Sequence, residues 1–251
     1  MPRSVVVEVH HGRCGSTVVG DLLDQHSKIH WDSEIYYLPG WMDTIMSKQR
    51  RTFERDGIEH MRERIRASKK EIYSFEFQPH NLVPMGVEMI EYLTLCEESG
   101  TSHFIHLSRK NILRKVISSL VAMERKVFHY KIGETPPLTR MKIHTDHIYI
   151  KDTGSSLVEY IEQTLRQEKE ISEFMRSKGR RGLFMSYEDD VEKNPFVGYR
   201  KVCEFLGEEP EKAEIRFSKA TAIFRMEDIV ENWNDVVAAL MGTRHEWMLI
   251  G

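Results

Sequence analysis

The sequence is short of cysteine and of long apolar runs. Its three cysteines, Cys14, Cys96 and Cys203, are far apart and form no C-x-x-C pair. Their number and spacing disfavour a disulfide framework or a cysteine-based zinc site and indicate a reducing compartment, the cytoplasm. No apolar run reaches the length of a bilayer span, and the N-terminus lacks the apolar region of a signal peptide. We therefore expect a cytoplasmic protein without a membrane span.

A large net charge and a metal-ligand pattern are absent as well. The 36 basic and 39 acidic residues give a net charge of −3, so no overall field attracts nucleic acid or an anionic membrane. The histidines form no H-x-x-x-H or H-x-H pair on a predicted helix, and no G-x-S-x-G nucleophile elbow occurs. We expect no nucleic-acid partner and no metal, and any anion site must be built locally.

Short apolar runs alternate with segments of helical periodicity along the chain. The runs predict buried strands, and the segments between them predict helices. Strands are predicted at 4–9, 29–31, 72–77, 104–107 and 182–186, and helices at 16–26, 43–68, 84–98, 111–126, 155–177, 194–206 and 235–240. The alternation predicts an α/β protein with a central parallel sheet flanked by helices, and the length of 251 residues fits a single domain over 1–251.

The first predicted strand leads through a glycine-containing loop into a helix. The loop reads Gly12-Arg13-Cys14-Gly15-Ser16-Thr17. The backbone N–H groups of such a turn bind anions together with the partial positive charge of the helix N-terminus. Gly12 and Gly15 let the backbone approach a ligand, and Arg13 adds a full charge. The loop of ATP- and GTP-binding enzymes carries Lys after its last glycine, where this chain has Ser16, so an NTPase is disfavoured.

This loop resembles the 5′-phosphosulfate loop of the sulfotransferases that use PAPS (3′-phosphoadenosine 5′-phosphosulfate). Their loop usually reads Arg/Lys-Ser-Gly-Ser/Thr-Thr, and here Cys14 replaces the first Ser while the backbone donors remain. The resemblance implies a three-layer P-loop-like fold, with PAPS as the donor and PAP as the product. It also implies that residues 12–17 hold the phosphosulfate and that Arg13 neutralises the transferring group and the bridging oxygen.

A second basic residue follows the predicted strand 104–107. Arg109 stands at the carboxyl end of this strand, where α/β sheets bind ligands, and Ser118 lies on the next predicted helix. The segment resembles the 3′-phosphate site of the same family, in which a strand-end Arg and a helix Ser clamp the phosphate. The resemblance implies these roles for Arg109 and Ser118. We expect Arg114 and Lys115 to be solvated helix charges.

Two further segments resemble this family. The segment 183–207 is similar to a strand, turn and helix that are common in these enzymes, and it places Tyr187 among the residues expected to bind the nucleotide. The segment 231–243 resembles the C-terminal part that closes over the nucleotide. The segments 41–68 and 133–147 match no motif of the family and are the expected places for acceptor specificity.

The acceptor hydroxyl needs a base that takes its proton during the attack on sulfur. Bacterial sulfotransferases that resemble this chain often use a Glu just past the first helix, and Glu34 occupies that place. Glu76 and His80, near the end of the predicted strand 72–77, are the alternatives. The animal cytosolic enzymes carry a Lys and a catalytic His near such a strand end, but this sequence has no Lys there. Glu34, Glu76 and His80 therefore stay open as the base.

The motifs together predict an enzyme that transfers a sulfuryl group to a hydroxyl of a small-molecule or carbohydrate acceptor. Two other functions stay open. A nucleotide or small-molecule kinase with a degenerate phosphate loop would need Mg²⁺ ligands and a loop Lys. A non-catalytic relative would keep the nucleotide site and lack turnover.

Overall fold

The computed structural model describes residues 2–36, 50–82, 87–150, 153–177, 179–219, 221 and 223–250. Its strands, in chain order, are β1 (Ser4–Val9), β2 (Ile29–Glu34), β3 (Ile72–Phe77), β4 (His103–Ser108), β5 (Tyr130–Lys131), β6 (Ile148–Ile150), β7 (Thr153–Ser155), β8 (Gly182–Ser186) and β9 (Phe217–Ser218). Five of them form an all-parallel sheet in the order β2–β3–β1–β4–β8. The pairs β5–β9 and β6–β7 are short antiparallel ribbons.

Helices connect the parallel strands. In chain order they are α1 (Ser16–Asp24), α2 (Arg50–Ala67), α3 (Pro79–Leu82), α4 (Met89–Glu98), α5 (Ile112–Arg125), α6 (Leu157–Arg176), α7 (Phe196–Leu206), α8 (Met226–Ile229) and α9 (Trp233–Leu240). Local signals set their ends: Asn111 accepts the Arg114 N–H at 2.9 Å at the start of α5, and Gly207, with φ +75°, ends α7. In the described residues no helix is both long and apolar enough to cross a membrane.

Helices cover both faces of the parallel sheet. Successive strand residues face opposite sides. Val5, Val7 and Val9 of β1 pack in one apolar core with residues of α2, α4 and the C-terminal half of α6. Glu8 of β1 faces the other side, on which α1 packs against α7. Because both faces of the sheet are covered, the central strands have nearly continuous apolar sequences, which Glu8 interrupts.

The described chain divides into two compact units. The first comprises Met1–Ser108 and Glu168–Glu214 and contains the parallel sheet. The second comprises Arg109–Gln167 and Ile215–Gly251 and has a core of its own, to which α5, α8 and α9 contribute. A single domain over 1–251 stays a prediction.

The parallel sheet and its flanking helices confirm the predicted α/β architecture. The strands predicted at 4–9, 72–77 and 182–186 have the observed bounds. The strand predicted at 29–31 is longer in the structure, because β2 continues to Glu34 past a register shift that contains Ser33 at φ +53°. Its alternating polar residues gave no apolar run from which to predict this extension.

Several predicted boundaries differ from the structure by one to three residues. The helix predicted at 155–177 begins at Leu157, because Thr153–Ser155 pair with β6 instead. Both short ribbons were missed, since strands of two or three residues are too short to show alternation. In the helices predicted at 43–68 and 84–98, residues 43–49 and 84–86 lie outside the described residues, and the described parts are helical at 50–67 and 89–98.

Close contact between α1 and β2 leads to a stability prediction at Gly20. A Cβ on Gly20 would overlap Cε2 of the Trp31 ring. Overpacking of this kind costs about 1–3 kcal/mol, and the better helix propensity of Ala offsets up to about 1 kcal/mol of it. We expect Gly20→Ala to lower the free energy of unfolding in urea denaturation. Trp31→Phe replaces the indole by a smaller ring and relieves the overlap. The double variant should therefore lose less free energy of unfolding than the two single variants lose together, and additive losses would contradict the contact.

Candidate functional site

The loop between β1 and α1 winds through the left-handed region of backbone space. Gly12, Arg13 and Gly15 have φ values of +78°, +56° and +84°. This conformation costs a residue with a Cβ roughly 1–2 kcal/mol, so the surroundings must hold Arg13 in it. Gly15 is the N-cap of α1, and the N–H groups of the first helical residues, Ser16 and Thr17, have no acceptor within the helix. The result is a turn whose backbone donors suit an anion.

The side chains of the loop add charge and hydroxyl groups to these donors. Arg13 and Thr17 are partly exposed, whereas Cys14 and Ser16 are buried. The first turn of α1 carries no acidic residue. An anion at this helix end therefore meets a positive dipole and no acidic side chain in the first turn.

His10 connects the loop to the sheet. Its Nε2 lies 2.6 Å from Oε2 of Glu76, and Gly12 donates its backbone N–H to His10 Nδ1 at 2.9 Å. The Gly12 N–H needs a lone pair on Nδ1, and this fits the tautomer whose Nε2 proton is donated to Glu76. His10 and Glu76 are almost fully buried, so water does not compete for this hydrogen bond. Gly12 and Glu76 thus favour the same tautomer of His10, and His10 links the loop to β3.

Gln78 connects the same loop to Glu34. Its Nε2 donates to Oε1 of Glu34 at 2.6 Å, and its Oε1 lies 2.7 Å from the position that a Cβ on Gly12 would take. A side chain at position 12 would therefore displace Gln78. The backbone N–H of Gln78 donates to Oδ1 of Asn81 at 2.9 Å, which holds the turn into α3. One side chain thus separates the predicted base Glu34 from the predicted phosphosulfate loop.

Three glutamates form a row across neighbouring strands. Glu34 of β2 pairs in register with Glu76 of β3, and Glu76 pairs with Glu8 of β1. Glu8 and Glu76 are 1% and 2% exposed, whereas Glu34 is only partly buried. Of the two carboxylates predicted as a base, Glu34 is the more accessible, and Glu76 is engaged by His10.

Folding favours the protonated form of Glu8. Burial, and then the neighbouring charge of Glu76, raise the pKa of Glu8 to about 8. The ligand atoms of Glu8, His10 and Glu76 lie within 4.8 Å of one another, and such oxygen and nitrogen donors can hold a divalent cation. His10 would have to give up its Nε2 proton for this, against the Gly12 N–H that selects this tautomer. The absence of a metal stays a prediction.

Tyr187 begins the π-helical turn Tyr187–Val191 that follows β8. Gly15 packs against this turn: its Cβ would lie 3.2 Å from Cδ2 of Tyr187 and 2.7 Å from Cγ1 of Val191. Ser186 caps the turn, since its Oγ accepts the N–H of Asp189 at 3.2 Å. Tyr187 therefore lies against the loop, while its part in nucleotide binding stays a prediction.

Arg109 and Ser118 belong to the second unit and are both almost fully buried. Arg109 directly follows β4, and Ser118 lies on α5. Asn111 fixes the start of this helix, because it caps α5 and its Nδ2 also donates to the Met248 carbonyl at 3.0 Å. The role of Arg109 and Ser118 toward a 3′-phosphate stays a prediction.

The expectation of solvated charges on α5 is wrong for Lys115. This side chain is buried, and its Nζ donates to the hydroxyl of Tyr160 at 2.7 Å and lies 4.9 Å from the ring centroid. Arg114 is partly buried and donates to the Phe224 carbonyl at 2.8 Å. Both partners lie far away in the sequence, so the local pattern gave no sign of them.

Three residues of the site were missed from the sequence: Glu8, His10 and Gln78. A signal for two of them was present, because Glu8 and His10 stand two residues apart at the end of an otherwise apolar strand and so share a face. The contacts of Gln78 depend on the pairing of β2 with β3 and had no such signal. His80, the remaining candidate base, lies partly exposed on α3, two residues after Gln78.

Comparison with known proteins assigns no family and no function to this site. A scan against protein-family models and a search of curated proteins both returned no match. A function for the site must therefore be argued from its own residues and from the motifs that they form.

The proton on Glu8 leads to a prediction about stability and pH. Because the pKa of Glu8 rises from 4.5 to about 8 on folding, the folded protein keeps a proton that the unfolded chain releases. The free energy of unfolding should therefore fall as the pH rises through this range. Glu8→Gln cannot titrate, so it should lack this fall and be more stable than the wild type above about pH 8.

Urea denaturation across this pH range measures the effect. Glu98→Gln, at an exposed position on α4, is the matched control and should follow the wild-type profile. Parallel profiles for the wild type and Glu8→Gln would show that Glu8 is ionised in the folded protein.

Proposed function

We propose that the chain is a PAPS-dependent sulfotransferase that moves a sulfuryl group to a hydroxyl of a small-molecule or carbohydrate acceptor and releases PAP. The observation that carries this proposal is the loop after β1, with three left-handed residues, a helix N-terminus and Arg13 at the carboxyl end of a parallel strand. Ligands of α/β proteins bind at this end of the sheet. The proposal includes the three-layer P-loop-like fold and a place in the cytoplasm, which the three free cysteines support.

In the proposed reaction, the acceptor oxygen attacks the sulfur of PAPS. The bond between sulfur and the bridging oxygen breaks, and PAP leaves with the negative charge of that bond. The acceptor proton passes to the Glu34 carboxylate. Arg13 and the backbone N–H groups of residues 13–17 stabilise the charge on the leaving phosphate.

The surroundings of the three candidate bases favour Glu34. Gln78 donates to one carboxylate oxygen of Glu34 and so orients it beside the loop. Glu76 is buried and accepts a hydrogen bond from His10, so protonating it would disturb the contact that holds Gly12. His80 and Glu76 remain the alternatives to Glu34.

The rest of the donor is assigned by resemblance to the family. We propose that Arg109 and Ser118 bind the 3′-phosphate and that Tyr187 contacts the nucleotide. Acceptor specificity is proposed for the segments 41–68 and 133–147, of which residues 41–49 lie outside the described residues.

Calorimetry with PAP and ATP tests the donor site. PAP should bind more tightly than ATP, because the loop has Arg13 and lacks the Lys of ATP-binding loops. Arg13→Ala should weaken PAP binding by about 10- to 100-fold, the usual loss for a hydrogen bond to a charged group. Arg200→Ala, which removes an exposed Arg on α7, is the control and should bind PAP like the wild type. Equal affinity for PAP and ATP would favour a kinase instead.

Glu34→Gln tests the base. Gln keeps an oxygen that accepts the hydrogen bond from Gln78 but cannot take a proton, so PAP affinity should be unchanged. Release of PAP from PAPS, assayed with a panel of phenol and sugar acceptors, should fall by about 100-fold or more. Turnover retained by Glu34→Gln would move the base to Glu76 or His80.

A further inference from the structure

The second unit carries most of the exposed apolar side chains of the described residues. All of the large ones except Ile90 belong to this unit. Five of them fall within residues 123–138, and each is between 39% and 60% exposed: Met123, Val127, Phe128, Ile132 and Leu138. A cluster of exposed apolar side chains marks a site where a protein binds another protein or a membrane.

Arg125 brings these apolar residues together. Its Nε donates to Oγ1 of Thr139 at 2.7 Å, and its guanidinium also donates to the Pro137 carbonyl. The ring centroid of Tyr130 lies 5.7 Å from the same guanidinium. Residues 137–139 are thereby held against the end of α5, so Leu138 lies close to the chain that carries Met123, Val127 and Phe128. We call the exposed surface of residues 123–142 the basic–apolar patch.

The charge of the patch opposes that of the whole protein. Residues 123–142 contain five basic residues and two acidic ones, a net charge of 5 − 2 = +3, whereas the whole chain has −3. Lys126, Lys131, Arg140 and Lys142 are exposed. The exposed residues Arg216 and Lys219 flank β9, whose Phe217 pairs with Lys131. The negative net charge of the whole chain predicts no attraction to an anionic membrane, but residues 123–142 carry a positive net charge that acts locally.

Charge decides what the patch is suited to bind. Protein–protein interfaces are depleted of Lys, and a surface rich in exposed Lys would lose much hydration on contact with another protein. The surface of an anionic lipid bilayer attracts Lys and Arg at about 1 kcal/mol each and takes up exposed Phe, Leu and Ile among its headgroups. We propose that the basic–apolar patch docks the protein on the surface of an anionic membrane. The occupant is the lipid surface itself, and no segment crosses the bilayer in this proposal.

Flotation with lipid vesicles tests the docking and is independent of PAPS chemistry. The full chain should bind vesicles of phosphatidylcholine mixed with phosphatidylglycerol and fail to bind phosphatidylcholine alone, and added salt should weaken the binding. Lys131→Gln and Lys142→Gln should each weaken it about fivefold. Phe128→Ser should weaken it about tenfold through lost apolar contact. All three positions are exposed, so these variants should keep the thermal stability of the wild type.

Two control variants match these changes. Lys169→Gln and Ile90→Ser alter an exposed Lys and an exposed Ile of the first unit and should bind the mixed vesicles like the wild type. Equal losses in the control and patch variants, or no binding to the mixed vesicles at low salt, would overturn the proposal. A dimer in sedimentation velocity that Phe128→Ser dissociates would also overturn it, because the patch would then join two copies of the chain.

Discussion

The candidate site depends on one buried contact, in which His10 lies between the Glu76 carboxylate and the Gly12 amide. The parallel register of β1 and β3 brings Glu76 close to the end of β1. Burial prevents water from replacing either hydrogen bond, and the Gly12 N–H allows one tautomer of the ring. The loop that follows can then hold three residues in the left-handed region, including Arg13, whose Cβ opposes it. Gly12 and Gly15 adopt this conformation at little steric cost, whereas Arg13 relies on its surroundings to stay in it.

The same contact helps to explain how Glu8 and Glu76 can lie close to a proposed anion site. Two ionised carboxylates at Glu8 and Glu76 would repel a phosphosulfate and would be costly to bury. Because the pKa of Glu8 is raised to about 8, one of the two charges is neutralised by a proton, and the other is engaged by His10. Glu34, at the outer end of the row, is left as the accessible carboxylate. Glu8 and Glu76 therefore have a structural role, whereas Glu34 has the proposed chemical role.

The sequence predicted those features that depend on local pattern. Apolar runs predicted the central strands, and Asn111 and Gly207 marked helix ends because capping acts within a few residues. The loop 12–17 was predicted as an anion site from its glycines and Arg13. Its backbone is left-handed at Gly12, Arg13 and Gly15, and the binding of an anion there stays a prediction. The contacts of Gln78 with Glu34 and of Lys115 with Tyr160 join distant segments, and no local pattern contains them.

A crystal structure of the protein with PAP bound would show whether the loop 12–17 binds the nucleotide. We expect the 5′-phosphate within hydrogen-bond distance of the backbone N–H groups of residues 13–17, with the contacts from His10 to Glu76 and Gly12 retained. PAP bound elsewhere, with the loop vacant, would contradict this expectation.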